Sequence, residues 1–463
     1  MKKLVALGLA SAMAVSLAAC GAASQEADTA VSEPEATAVE AVEGSTEVTE
    51  ADAGEASDLS ATITLWTYPV GKWGDSATVD ELVSDFNAKY PNISVTVEYL
   101  DYTNGDDQVN TAIEGGQAPD MVLEGPERLV ANWGAKGLMV DLSDIMSADA
   151  ASDLYDTVRK ACTASDGKVY EYPLCMVAHC MAINKQMFEK ADALGYMDLE
   201  KHTWNSTDDF FKAVQAVYDS GQKNVIDVYC AGQGGDQGTR ALVNNLYSGT
   251  YTNADHTAYT ADSEENIKAL QALVDQDGVV FDASTVGGDE INLFRQEQFA
   301  VSLCWNAAQQ NNSDNAEAGK TNNGSDIIPM NFPTNDGDVE LCGGIWGFGI
   351  FDNGDADRIA ASKAFIDFMA NDETEVRKAV LASGFFPAHQ NITDVYDGQE
   401  IAETMSMFTE YFMPNMGDYY QVVPGWAEAR TEWWNMLQRI GSGGDVATEV
   451  AVFTNNANAA AGK

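Results

Sequence analysis

The sequence predicts an α/β protein of two lobes between which the chain crosses several times, and three observations carry that expectation. From residue 61 onward, β-branched or apolar runs of strand length alternate with amphipathic helical stretches, the pattern of largely parallel sheets covered by helices. Those runs are too many for one sheet. No repeat period and no low-complexity linker divides them into separate beads, and 463 residues are enough for about three domains by length alone.

The chain opens on Lys2 and Lys3 and then the apolar run 4–17. With such flanks this run is too short for a stable membrane span, and it reads as an export signal over residues 1–19. Leu17-Ala18-Ala19-Cys20-Gly21 sets small residues against a cysteine at the expected cleavage point. This resembles the lipobox of bacterial lipoproteins, which implies lipidation of Cys20; an ordinary signal peptide that abuts a cysteine is the alternative. Between Gly21 and Asp58 the chain has no Lys, Arg or aromatic residue, while Glu26, Asp28, Glu33, Glu35 and further acids recur. Nothing there can pack, so residues 20–59 are expected to be a disordered acidic spacer that repels itself and holds a folded body clear of a membrane.

Charge narrows the function. The chain carries 72 Asp and Glu against 25 Lys and Arg, net -47, which repels phosphate backbones and anionic headgroups and excludes nucleic acid as a partner.

The folded part starts with Ala61-Thr62-Ile63-Thr64-Leu65-Trp66, an alternating β-branched strand. A helix is expected over 79–90, with Val79, Leu82, Val83, Phe86 and Tyr90 on one face and Pro91 beyond its end. A strand over 93–97, a helix over 108–114 and a strand over 121–123 complete a β-α-β opening. Further strands are expected over 178–183, 225–229, 299–303 and 345–350, and helices over 207–218, 266–274, 358–369 and 426–440.

Gly116-Gln117-Ala118-Pro119-Asp120-Met121-Val122, followed by Trp133-Gly134-Ala135-Lys136-Gly137-Leu138, resembles the extracellular solute-binding proteins of ABC importers, the family that includes maltose-binding protein. Lys168-Val169-Tyr170-Glu171-Tyr172-Pro173, Asn184-Lys185, Thr203-Trp204-Asn205-Ser206-Thr207 and Gly384-Phe385-Phe386-Pro387-Ala388 match family segments in the same order. Departures occur at Ile183, Val177, His179 and the Asp208-Asp209 pair, and they bear on the solute and not on the fold. The resemblance implies a two-lobed periplasmic-binding-protein-like fold that closes on its ligand by hinge motion, with 60–176 and 342–387 as lobe 1 and 177–341 and 388–463 as lobe 2. Crossings are then expected near 173–180, 341–344 and 386–389, where Gly343-Gly344 can absorb rotation and Pro173 and Pro387 can set the exits.

A sugar site needs flat aromatic faces for C–H surfaces and planar side chains for paired hydroxyls. Trp66, Tyr68 and Trp73 follow the first strand, Trp305 and Asn306 end another, Trp346 follows the glycine pair, and Trp426 stands one turn before Arg430. The resemblance places Trp305 and Trp426 where relatives stack sugar rings and Glu127 with Arg128 where a charged pair meets hydroxyls; each tryptophan is otherwise an ordinary core residue. His179 is a further ligand candidate, with a satisfied core histidine as its alternative.

Enzyme motifs are missing: there is no G-x-S-x-G, H-E-x-x-H or P-loop pattern, and His179, His202, His256 and His389 have no metal-ligand spacing. Abundant carboxylates leave a glycoside hydrolase open. The acidic loops 335–338 and 352–355 lack the closing glutamate of an EF-hand and read as turns. Cys162, Cys175, Cys180, Cys230, Cys304 and Cys342 permit many pairings, none of them favoured.

The expectation is a lipid-anchored receptor on the extracellular face of the cell membrane, a monomer without cofactor or metal. It captures a carbohydrate, preferentially an oligosaccharide, and delivers it to permease subunits of an ABC transporter. Another polar solute is the alternative within that class, and a secreted glycoside hydrolase the alternative outside it.

Overall fold

The computed structural model describes residues 59–463 apart from residues 103 and 315. The signal, Cys20 and most of the acidic spacer lie outside the described residues. In chain order the strands are β1 (Ala61–Thr67), β2 (Ile93–Tyr99), β3 (Met121–Glu124), β4 (Tyr172–Ala178), β5 (Cys180–Asn184), β6 (Met197–Asp198), β7 (Thr203–Trp204), β8 (Ile226–Tyr229), β9 (Val279–Asp282), β10 (Val301–Trp305), β11 (Ile327–Met330), β12 (Gly343–Ile350) and β13 (Phe386–Pro387).

They form two large sheets. The first has the order β13-β4-β12-β3-β1-β2 and the second β11-β5-β10-β8-β9; β6 and β7 make a small separate ribbon. In the first sheet β1 runs parallel to β2 and β3, while β12 is antiparallel to β3 and β4. Helix Ser76–Lys89 covers it with Val79, Leu82, Val83 and Phe86, and begins where the Asp75 carboxylate accepts the Thr78 amide, a side-chain N-cap. Phe86 meets Phe365 and Phe368 of helix Ala356–Asn371 edge-on, so two helices between which the chain builds the entire second sheet seal one core. In the second sheet Val301 of β10 pairs with Ile183 of β5 on one side and Ile226 of β8 on the other.

The strand expected over 178–183 is two strands in different sheets. β4 ends the first sheet's share at Ala178, His179 alone intervenes, and β5 belongs to the second sheet. A continuous buried run extends through the join, so local pattern gives no warning that the sheet changes. The chain returns between β11 and β12 and leaves the first sheet again after β13. Gly343 and Gly344 are not a free hinge: both are strand residues paired with Ala178 and Val177. Side chains also crowd both positions. A Cβ on Gly343 would lie 2.2 Å from Cε of Met416, and one on Gly344 2.1 Å from Cη2 of Trp346.

The acidic loops are turns. Asp336 Oδ1 accepts from Thr334 Oγ1 and the Asp338 amide, and Asn353 Oδ1 from the Asp355 amide. All six cysteines among the described residues are buried free thiols. No described helix is long and apolar enough to cross a membrane.

The core of the second lobe holds a buried acid. Glu290 accepts the Leu303 amide at 2.8 Å with one oxygen and meets Ser302 Oγ at 2.8 Å with the other, and burial pushes its pKa up to about 8. A carboxyl whose folded pKa is raised stabilises fully below its unfolded pKa and loses that contribution as pH climbs through the folded value. Wild-type protein should therefore lose about 2 to 3 kcal/mol from this group between pH 6 and 9. Glu290→Gln, which keeps one acceptor and one donor, should remove that share of the slope; parallel stability profiles in chemical denaturation would contradict it.

Candidate functional site

A cavity of about 310 Å³ opens between the two sheets, outside the carboxyl ends of β1, β2 and β3, where open α/β sheets place ligands. Its first wall begins at Glu124, the last residue of β3, and continues through Gly125 into the short helix Pro126–Arg128. Gly125 is required by crowding: a Cβ would stand 2.6 Å from Glu127 Oε2 and 2.9 Å from the Ile345 carbonyl. Arg128, 7% exposed, donates to Asp106 Oδ1 at 2.7 Å, Glu124 Oε1 at 2.7 Å and Glu127 Oε1 at 3.3 Å. Tyr68 donates its hydroxyl to the same Asp106 and stacks on Tyr102 at 5.3 Å. Tyr102 and Glu127 both face the cavity.

Electrostatically this wall is crowded with acid. Burial, opposed by Arg128, pushes Glu124 up to about 8; burial also raises Asp106, but Arg128, the Tyr68 hydroxyl and Arg430 together hold it below the usual carboxylate range.

The opposite wall rests on Asp236. Its two oxygens accept Nε and Nη2 of Arg430, both at 2.8 Å, and Nη2 also reaches the Gln233 carbonyl. Arg240, wholly buried, pairs with the same Asp236 at 2.7 Å. Gln233 then spans the cleft, donating from Nε2 to the Tyr102 carbonyl at 2.7 Å. A second bridge joins the Tyr419 hydroxyl to Glu127 Oε2 at 2.7 Å. The floor is aromatic: Trp346 and Phe385 stack at 4.8 Å and 16° beside Gly344.

His179, 8% exposed, sits at the crossing between β4 and β5 and lines the cavity; its amide donates to the Cys342 carbonyl. Burial pushes its pKa down to about 4, so the ring is neutral near pH 7, and Nδ1 has no partner. Asn306 lines the cavity and caps helix Ala307–Asn311 by accepting the Ala308 and Gln309 amides.

Of the residues singled out from sequence, Glu127, Arg128, His179, Asn306, Trp346 and Arg430 share this cavity. Trp66, Tyr68, Trp305 and Trp426 do not line it. Trp305 is fully buried, donates from Nε1 to Gln310 Oε1 at 2.9 Å and meets Phe294 edge-on. Trp426 is 5% exposed behind the second wall, edge-on to Tyr251 and Tyr420, with the Arg240 guanidinium 4.8 Å from its ring. Trp66 is a buried β1 residue, Tyr68 lies under Tyr102, and Trp73 donates from Nε1 to the Ala379 carbonyl in the core. All five rings are buried in the protein interior and none lines the cavity. Sequence reasoning passed over Glu124, Tyr102, Gln233, Phe385 and Tyr419. A charged residue closing the otherwise apolar β3 was the available clue to Glu124; the others come from loops without any pattern.

The family model for bacterial extracellular solute-binding proteins matches residues 71–376. A lipoprotein from the oleD 5′ region of Streptomyces antibioticus is 35% identical over 78 residues, 17% of this chain and 17% of that protein, so the chain spans about a sixth of that curated relative. The GacH receptor of Streptomyces glaucescens, solved unliganded and with acarbose, is similar in structure at a TM-score of 0.66 and 16% identity, over 86% of this chain and 98% of that one. Lmo0181 of Listeria monocytogenes, solved with cycloalternan, scores 0.66 at 19% identity over 87% and 99%. Maltose-bound MalE3 of T. maritima scores 0.65 at 15% identity over 86% and 99%. At these identities the likeness is one of fold.

Proposed function

The chain belongs to the bacterial extracellular solute-binding protein family, and from that premise we propose that it captures a carbohydrate, preferentially an oligosaccharide, in the cavity between its sheets and hands it to the permease of an ABC transporter. The observation that carries this reading is the composition of the cavity wall. Stacked Trp346 and Phe385 supply a flat apolar face, and Gln233, Gln421, Asn306 and Glu127 supply planar hydrogen-bonding groups around it. Flat faces suit the C–H surfaces of sugar rings, while planar groups suit adjacent hydroxyls. Neighbours of the same fold solved with acarbose, cycloalternan and maltose support the choice of solute class. The lobes divide at His179, and closure moves one sheet with its helices against the other.

Binding without turnover separates a receptor from a hydrolase. The purified protein, incubated with a panel of neutral oligosaccharides, should gain melting temperature with at least one of them while releasing no new reducing ends. New ends would make it a glycosidase, and no stabilisation by any member would remove carbohydrate from the proposal.

Lipid anchoring through Cys20 forms the second part of the reading, supported by the lipobox-like segment and by the curated lipoprotein relative. Cys20→Ala should release the protein from the membrane into the medium; retention of that variant would defeat the anchor.

A further inference from the structure

Three residues that line the cavity each carry a buried polar atom without a hydrogen-bond partner: Oε2 of Glu124, Nδ1 of His179 and Oε1 of Gln309. Glu124 is 1% exposed and its other oxygen is taken by Arg128. A buried polar atom left unpaired is costly, and these atoms belong to residues of the cavity wall.

Charge around Glu124 does not balance if it is ionised. The short helix brings Arg128 and Glu127, helix Gly105–Glu114 brings Asp106, and helix Trp426–Gly441 brings Arg430 from across the cleft. Glu171, wholly buried before β4, adds a further carboxyl, while Tyr68, Tyr102 and Tyr419 complete the surroundings. One guanidinium, Arg128, thus serves three carboxyl groups, and Arg430 is already held by both oxygens of Asp236.

We propose that Glu124 receives the ligand as a carboxylic acid, its Oε2–H donating to a ligand oxygen while neutral His179 Nδ1 accepts a ligand hydroxyl, so that solute capture depends on a proton held in the cavity wall. The proton belongs on Oε2 because Oε1 accepts from Arg128. The elevated pKa of Glu124 agrees with this placement. The solute class that fits is an uncharged polyhydroxylated one: the guanidinium groups facing the cavity are already paired, and a charged ligand would bring an uncompensated charge into a desolvated site. This inference rests on the carbohydrate reading of the cavity, and its tests are chosen so that the two fail separately.

The first test needs no ligand. Infrared difference spectra of wild type minus Glu124→Gln at pH 7 should contain a protonated carboxyl band that disappears above pH 9; an ionised Glu124 at pH 7 overturns the proposal whether or not any sugar binds. The second test titrates maltose, maltotriose, cellobiose and xylobiose into wild type, Glu124→Gln, Glu124→Ala and His179→Ala. For whichever of these binds, wild-type affinity should fall about 30-fold between pH 7 and 9.5, following titration of one group near pH 8. Glu124→Gln, which keeps a donor, should stay within about threefold of wild type at pH 7 and lose the pH dependence, whereas Glu124→Ala should weaken binding at least tenfold. A flat wild-type profile, or equal affinity for Glu124→Ala and Glu124→Gln, overturns the role of the proton. Undiminished binding by His179→Ala removes the acceptor. If none of the four sugars binds while the infrared band is present, the choice of solute fails and the proton stands.

Discussion

Replacing Trp426 with alanine is expected to destabilise the ligand-free protein by about 3 to 5 kcal/mol, the cost of emptying a buried tryptophan site. Trp426 is the first residue of helix Trp426–Gly441, and its entry is set by Gly425, whose φ of 72° lies in the left-handed region and whose position leaves no room for a Cβ against Ala460. The ring is closed in by Tyr251, Tyr420 and Arg240. Arg240 is wholly buried and depends on Asp236 for its charge partner, so loss of the ring also removes a cation–π contact worth about 2 kcal/mol when desolvated. Because Asp236 orients Arg430 as well, the damage should reach the cavity wall indirectly. Denaturant unfolding of wild type and Trp426→Ala decides the matter. A variant of wild-type stability that has lost ligand affinity would return Trp426 to a stacking role.

Arg128→Ala is expected to cost a similar amount, about 3 to 5 kcal/mol, for a different reason: it leaves Asp106, Glu124 and Glu127 facing one another without the guanidinium that all three contact. Breaking a buried ion pair strands a desolvated charge, and that penalty exceeds the net worth of the intact pair. The loss should be largest at neutral to alkaline pH and should shrink as acid protonates the stranded carboxylates. Combining Arg128→Ala with Asp106→Asn should restore part of the stability, since the ionised carboxylate that Arg128 had neutralised is then gone. A destabilisation below about 1 kcal/mol would mean that water reaches the cluster and screens it.

Local pattern made much of the secondary structure legible. The face formed by Val79, Leu82, Val83 and Phe86 marked its helix to within a few residues, and the alternation in residues 61–66 marked β1. Boundaries failed where two elements share one pattern, as at His179, where a single residue separates strands of different sheets. Helix Val446–Ala460 went unread: it is rich in alanine, and its buried positions Val450, Phe453, Thr454 and Ala457 include few large apolar residues to set a period.

The site divides in the same manner. The family resemblance pointed to Glu127 and Arg128, and Arg430 drew notice by standing one turn after Trp426; all three line the cavity. Trp305 and Trp426 were misplaced because a tryptophan is equally suited to a core and to a cleft wall, and the choice depends on what covers its faces: Phe294 for one, Tyr251 and Tyr420 for the other. What the sequence by itself determined, through period and ordered family motifs, is the α/β class and the two-lobed family fold. Only the tertiary structure decided which side chains meet. Tyr102, Glu124, His179, Phe385 and Tyr419 reach one cavity from distant segments of the chain, and local sequence carries no record of such a juxtaposition because packing between the sheets creates it.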